Sequence, residues 1–219
     1  MKNKQMSDSF FLGILLAIVG GFLDAYSYVL RGGVFANAQT GNIVLLGLSI
    51  AEGNTRKALY YLVPVLAFVL GVVVSDVVKK KYKENQSIHW RQVSVLIEVI
   101  ALLFAGFIPV GSLNMLANVL ISFVCAVQVE SFRKMNGLAY ATTMCTGNLR
   151  SGTEQLYRYK ATKDIEAGNK CLKYYSIILF FIIGAIGGMS ISLYLGVKAI
   201  WICCLILSSV FVVMMSKNG

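Results

Sequence analysis

The sequence is poor in charge: Asp, Glu, Lys and Arg make up 14% of its 219 residues, where soluble domains carry about 25%. That shortage argues against an ordinary water-soluble domain. Histidine is almost missing, His89 being the single one. A zinc centre needs about four Cys, His or carboxylate ligands. No such cluster is visible, so no metal and no cofactor is expected. The five cysteines, Cys125, Cys145, Cys171, Cys203 and Cys204, form no CxxC pair. Most fall in apolar stretches, where a thiol behaves as a small hydrophobe, and a disulfide scaffold is not expected. P-loop, nucleophile-elbow and HExxH patterns are absent, so the chain is not expected to be an enzyme. Acid is scarce too, with 10 Asp and Glu against 20 Lys and Arg. Such a balance can mark nucleic-acid binding. Here the bases sit in short loops between apolar runs, which is how membrane proteins retain loops in the cytoplasm. No nucleic-acid partner is expected.

What the sequence has is hydrophobicity: 57% apolar residues and a mean hydropathy of +0.71. About 20 apolar residues in helix span a bilayer core. Six runs reach or approach that length: Phe10–Leu30, Leu59–Val78, Val93–Val110, Leu113–Val129, Tyr174–Leu195 and Ala199–Met215. The first resembles a signal peptide, with Lys2 and Lys4 ahead of it. It continues to Leu30 without a small-residue cleavage site, however, and many spans follow. Two further segments, Thr40–Ala51 and Thr146–Lys160, are shorter or more polar. The first would be roughly 18 Å long as a helix, little over half a bilayer.

The bases orient the chain. Lys79, Lys80, Lys81, Lys83 and Arg91 lie in one loop, and eight more between Arg133 and Lys173 in another. With both loops inside and six crossings, both termini are inside and 16 of the 20 bases are cytoplasmic. Only Arg31, Arg56, Lys57 and Lys198 remain outside, as the positive-inside rule expects. Reading Val34–Ala51 as a seventh span puts the N-terminus outside and gives 15 to 5, so charge barely discriminates.

The tripeptide Thr-Gly-Asn occurs twice, at Thr40-Gly41-Asn42 and Thr146-Gly147-Asn148, 106 residues apart. An acid precedes each by 16 positions, Asp24 and Glu130. Each half reads as span, short segment, span, span. If the short segments do not cross, each half has three spans and the halves insert with opposite orientation, as in many transport proteins. The expected fold is therefore an all-α integral membrane protein. It has about six transmembrane helices in two inverted repeats, 1–110 and 111–219, each with a short broken or re-entrant helix starting at Thr-Gly-Asn.

Three blocks carry a resemblance to a known family. They are Gly20-Gly21-Phe22-Leu23-Asp24-Ala25-Tyr26-Ser27-Tyr28, Phe35-Ala36-Asn37-Ala38-Gln39-Thr40-Gly41-Asn42 and Thr146-Gly147-Asn148-Leu149-Arg150. Together they resemble the YoaK-like family, bacterial integral membrane proteins catalogued under a domain of unknown function. The resemblance implies a bacterial inner-membrane location and about six spans, and it supplies no activity.

The chemistry must therefore come from the residues. Thr is a good helix N-cap, Gly allows close approach, and Asn both donates and accepts. A helix starting at each tripeptide would aim its positive end at the midplane, a site for an anion or polar solute. Asn37, Gln39, Thr40, Gly41 and Asn42, with Thr143, Thr146, Gly147, Asn148 and Arg150, are the expected solute-binding residues. The bland reading is that these are caps and packing motifs only. Asp24, Glu130 and Glu98 are coupling candidates, because an ionisable group within a span is costly. For Glu130 the alternative is an interfacial pair with Arg133, three residues on. For Asp24 it is a cap on a short helix or a partner for Arg31. The expected function is a small-solute transporter or channel. The competing class is a non-transporting membrane assembly protein. Lipid, a small polar or anionic solute and a second copy of the chain are the expected partners.

Overall fold

The computed structural model describes residues 9–84, 88–135, 138–139 and 142–215. Lys2, Lys4 and Lys217, which enter the expected placement of the termini, lie outside the described residues. Eight α-helices account for nearly all of what is described: α1 Phe10–Leu30, α2 Gln39–Ala51, α3 Thr55–Tyr82, α4 Trp90–Ala105, α5 Asn114–Ser131, α6 Cys145–Thr162, α7 Ile165–Leu195 and α8 Trp201–Met215. A 3₁₀ turn, Gly196–Ile200, joins the last two, and a two-residue hairpin ladder, Lys134–Met135 with Leu138–Ala139, follows α5.

Four stretches are long and apolar enough to cross a membrane: α1, α3, α5 and the continuous helical stretch from α7 through α8. The outer faces of α3 and α7 are apolar and exposed, with Leu66, Val69, Leu70, Val73 and Val77 on one and Leu179, Ile182, Ile183, Ile186 and Leu193 on the other. Exposed aliphatic faces of this extent fit lipid, not water.

One expected span comes out short: α4 has 16 residues, about 24 Å against a core of about 30 Å, whereas Ala199–Met215 is helical throughout. The physical cause sits at one contact. α4 ends at Gly106, and a Cβ there would collide with the indole of Trp201, which opens α8. The Trp201 Nε1–H donates to Leu103 O at 3.2 Å, pinning the two helix ends together. The chain then leaves α4 through Ile108, Pro109 and Gly111.

The helices are held close by missing side chains. Gly21 faces the Phe181 carbonyl and Gly184 the Ile18 carbonyl, so α1 and α7 touch backbone to backbone. Small residues allow that approach in membranes, where apolar transfer gives helices no reason to associate. Gly188 lies against Phe22, so residue numbers rise together along α1 and α7 and the pair is parallel. α3 and α5 are parallel likewise. Tyr60 meets Asn118, Gly71 lies against Phe123, and the Ser75 and Ser131 hydroxyls bond at 3.0 Å. α4 and α8 are antiparallel, with Cys204 Sγ donating to Val99 O at 3.7 Å below the Trp201 contact.

α2 and α6 differ from their neighbours. α2 has 13 residues, about 20 Å, so Val34–Ala51 is not a continuous span-length helix. After α1 the chain turns back. Asn37 lies level with Asp24, roughly two turns below Arg31, while Tyr60 of α3 is again beside Arg31. α6 is longer than the expected short helix, with 18 residues, and its outer surface is polar. It packs as a hairpin on the start of α7, where Thr153 meets Tyr175 and Gly152 lies on Tyr174.

Candidate functional site

The two tripeptides occupy the same frame in their helices. Each helix begins one residue earlier than expected, at Gln39 and Cys145, and neither Thr40 nor Thr146 is the N-cap. The cap positions are Ala38 and Met144, and neither makes a side-chain cap bond. Thr40 and Thr146 point outward and are exposed, whereas Asn42 and Asn148 are buried at 1% exposure. The expected capping role of the threonines is therefore not what the structure shows. A helical turn starting at residue 39 or 145 brings the fourth residue, asparagine, to the inner face.

α2 is capped from another helix. The Asp24 carboxylate of α1 accepts the Asn37 N–H at 3.0 Å and also a bond from Ala38 N–H. A negative group thus already sits at the positive end of α2. Asp24 is 8% exposed, and beside it the Ser27 hydroxyl donates to the Asp24 backbone carbonyl and accepts the Ala36 N–H, each at 3.2 Å. The preceding loop is tied in as well. Gln39 Nε2 donates to Ala36 O at 2.7 Å, and Ser122 of α5 donates to that same carbonyl at 2.8 Å.

The decisive contact joins the two loops. Asn37 Nδ2 donates to Thr143 O at 3.2 Å. Asn37 precedes α2 and Thr143 precedes α6, so both helix starts meet at one junction. α1 backs it: Thr142 O and Thr143 Cγ2 lie just over 3 Å from where a Gly20 Cβ would stand. Gln128 of α5 closes the second loop, donating to Thr142 Oγ1 at 3.0 Å and to Leu16 O at 3.1 Å. The structure therefore gathers Asp24, Asn37, Gln39, Asn42 and Thr143 around one buried polar centre.

Arg150, Glu130 and Glu98 lie elsewhere. Arg150 is on the exposed face of α6, paired with Glu154 at 2.9 Å in an open groove of about 630 Å³ with Thr146 and Tyr157. Glu130 pairs with Arg133 at 3.3 Å. It lies in a basic recess with Lys79, Arg91 and Lys134, so its place is the interfacial one. Glu98 is fully buried in α4, and neither carboxyl oxygen has a partner among the described residues. Cys125 lies within electrostatic reach of both Glu98 and Asp24, so the two acids flank one part of the core.

A family model described as "Protein of unknown function (DUF1275)" matches residues 12–213. The chain belongs to the DUF1275 family. The transmembrane protein YoaK of Bacillus subtilis (strain 168), of the group UPF0700, is 26% identical over 182 residues, 78% of this chain and 79% of that protein. No solved structure matches.

One residue of this DUF1275 chain carries more bonds than any expected site residue, and the sequence did not mark it. Arg31 was expected as a base in an outer loop or as a partner for Asp24, and among the described residues it bonds to neither Asp24 nor another acid. It is fully buried. Its guanidinium donates to Ile108 O at 2.8 Å, Pro109 O at 3.0 Å, Ala105 O at 3.3 Å and the Tyr26 hydroxyl at 2.7 Å. The backbone carbonyls among these are that of Ala105, the last residue of α4, and those of Ile108 and Pro109 in the turn that follows, and a cation is favoured at such a helix end. Its own carbonyl accepts from Tyr60 and Asn118. The available signal was a lone base closing an apolar span, which is equally the signature of an interfacial arginine.

Proposed function

We propose that this DUF1275 membrane protein passes a small solute across the bilayer, with the junction of the α2 and α6 starts as the binding point. The observation that carries the reading is the Asn37–Thr143 bond. It brings two broken-helix starts together with a buried carboxylate, Asp24, beside them. Unwound backbone and helix ends within membrane depth are tolerated where they line a cavity or are buried in protein, and transporters place their sites there.

The inverted repeat is supported by the pairing of elements. Exchanging the halves turns α1 against α7 into α5 against α3, and both pairs are packed in parallel. Asn37 and Thr143 are themselves 106 residues apart, the spacing of the tripeptides. A contact between equivalent residues falls on the axis relating two halves. In this reading α2 and α6 enter from opposite faces, α4 and α8 complete six membrane helices, and the basic loops and both ends face the cytoplasm of a bacterial inner membrane. Asp24 and Glu98 tune charge along the path.

The alternative is a membrane assembly protein that moves nothing. It draws on Gln39 and Gln128, whose amides lock loops to neighbouring helices as packing elements would. Reconstitution separates the two. Passage predicts that Asn42→Ala and Asn148→Ala insert and fold yet abolish solute flux in proteoliposomes. Flux unchanged in both variants, or absent for every solute in the unmodified protein, removes the transport reading.

A further inference from the structure

The polar atoms left over at the junction can all accept. Asn37 directs its amide N–H to Thr143 O, and Asn42 directs its own to Phe35 O at 3.2 Å and Gln39 Oε1 at 3.1 Å. These partners accept only, so neither amide can be reversed without setting oxygen against oxygen. What remains is Asn37 Oδ1, Asn42 Oδ1 and Thr143 Oγ1, all without a partner among the described residues. Their residues are 0%, 1% and 4% exposed. Buried acceptors without donors are costly and rare. Asp24 adds a carboxylate that forms no ion pair among the described residues. The unpartnered buried nitrogen donor among the described residues, Arg31 Nε, belongs to the far end of α1. The junction thus offers acceptors and negative charge, and the positive end of α2 is already occupied by Asp24.

We infer that the junction takes a small organic ammonium ion, its N–H groups donating to Asn37 Oδ1, Asn42 Oδ1 and Thr143 Oγ1, with Asp24 balancing its charge. The inference rests on the passage reading and names its solute class. An ammonium head presents three donors, the number of acceptors left open. An anion meets repulsion from Asp24 and from both amide oxygens, with only the Thr143 hydroxyl able to turn a proton to it.

The test uses the full chain and methylammonium chloride, with sodium formate and urea as anionic and neutral comparisons. In detergent, methylammonium should raise the thermal midpoint and the other two should not. In proteoliposomes with an inside-negative potential, labelled methylammonium should accumulate. Asn42→Leu and Thr143→Val should each weaken its apparent affinity by about tenfold or more, since each removes a bond to a charged group. Gly187→Ala, where nothing lies within 4 Å of the added Cβ, should leave it unchanged. Should Asn42→Leu fail to insert, Thr143→Val and its conservative partner Thr143→Ser, which retains the hydroxyl, carry the comparison. Protection by formate in place of methylammonium overturns the assignment. So does the absence of any methylammonium effect, which would leave these acceptors to ordered water. Formate or urea uptake with the same side-chain dependence removes the ammonium class and leaves passage standing. No uptake of any probe by folded protein removes both.

Discussion

Replacing Arg31 with alanine should be among the most damaging single changes in this protein. The side chain is fully buried and makes close bonds to Tyr26 Oη, Ile108 O and Pro109 O, with a longer one to Ala105 O. A hydrogen bond to a charged group contributes about 1.5–3 kcal/mol, and an abandoned buried acceptor costs about 1–3 kcal/mol. Not all of that is lost. Pro109 lies in an exposed turn, so water can replace the guanidinium there. Ala105 O keeps the Ile108 N–H and the Tyr26 hydroxyl keeps Val197 O, so the loss falls mainly on the two shortest charge-assisted bonds, to Tyr26 Oη and Ile108 O. The net cost should be about 3–5 kcal/mol. For a chain of this size each kcal/mol moves the midpoint by about 2–4 °C, so the loss should be roughly 10 °C. Arg31→Lys should recover only part of it, because one ammonium cannot reach acceptors fanned around a planar guanidinium. Thermal unfolding of detergent-solubilised protein, followed by tryptophan fluorescence, reads the shift. Trp201 sits beside the same α4 end and reports on it directly. A loss under about 1 kcal/mol for Arg31→Ala would refute the argument, because it would mean the α4 carbonyls find other donors without cost.

Other expected outcomes follow from single contacts. Gly184→Ala places a Cβ against the Ile18 backbone and should prevent α1 and α7 from docking, read as loss of monodisperse protein. Gly187→Ala, three residues along and facing open space, should be silent. Removing the Ser75–Ser131 hydroxyl bond by Ser75→Ala should cost only about 0.6 kcal/mol, the usual worth of a polar contact between membrane helices, and a double-mutant cycle with Ser131→Ala isolates it. His89 opens α4 by accepting the Arg91 N–H at 3.3 Å through Nδ1. Burial, then the nearby Arg91 charge, holds its pKa below the ordinary 6.5. The stabilisation it gives is therefore complete above pH 6.5 and lost as pH falls through the lower folded value. Midpoints measured from pH 8 to 5 should fall by no more than about 1 kcal/mol from this group. His89→Asn, which keeps the acceptor, should flatten the curve.

The apolar runs made the spans legible because a helix in hydrocarbon has one dominant requirement, length. α1 falls where its run predicted, and α3, α5 and α7 extend theirs into flanking polar residues. The run Ala199–Met215 is helical throughout, but α4 was over-read for a reason that composition hides. Phe107, Ile108 and Val110 are as apolar as the residues before them, but Gly106 admits the Trp201 ring and the helix stops. The tripeptides pointed to the right places with the wrong residue in front. Thr40 was expected to cap because threonine caps well in general. Here Asp24, 16 positions upstream, supplies the carboxylate to the α2 start, and a contact between helices leaves no trace in local spacing. The sixteen-residue interval was legible, and of the readings offered for Asp24 the cap on a short helix is the one the structure bears out. Arg31 and the Asn37–Thr143 bond depend on residues 78 and 106 positions away respectively.

In the proposed two-repeat reading the halves match in arrangement and differ in chemistry, and the difference bears on how the junction would work. Asp24 and Glu130 are equivalent by position, yet Asp24 turns inward onto α2 while Glu130 turns to Arg133 in a basic recess. The outer faces of the short helices diverge in the same sense. Ile43, Val44 and Leu48 make the α2 face apolar, whereas Arg150, Glu154 and Arg158 make the α6 face charged. An ion pair facing hydrocarbon is expensive, so the α6 face must meet water or protein where α2 meets lipid. A path through the junction would then open on the α6 side and be sealed on the α2 side. The charge lies where the seal is, on Asp24. A solute drawn in along α6 would reach its counter-charge only at the end of the open half, where the next step requires α2 to move.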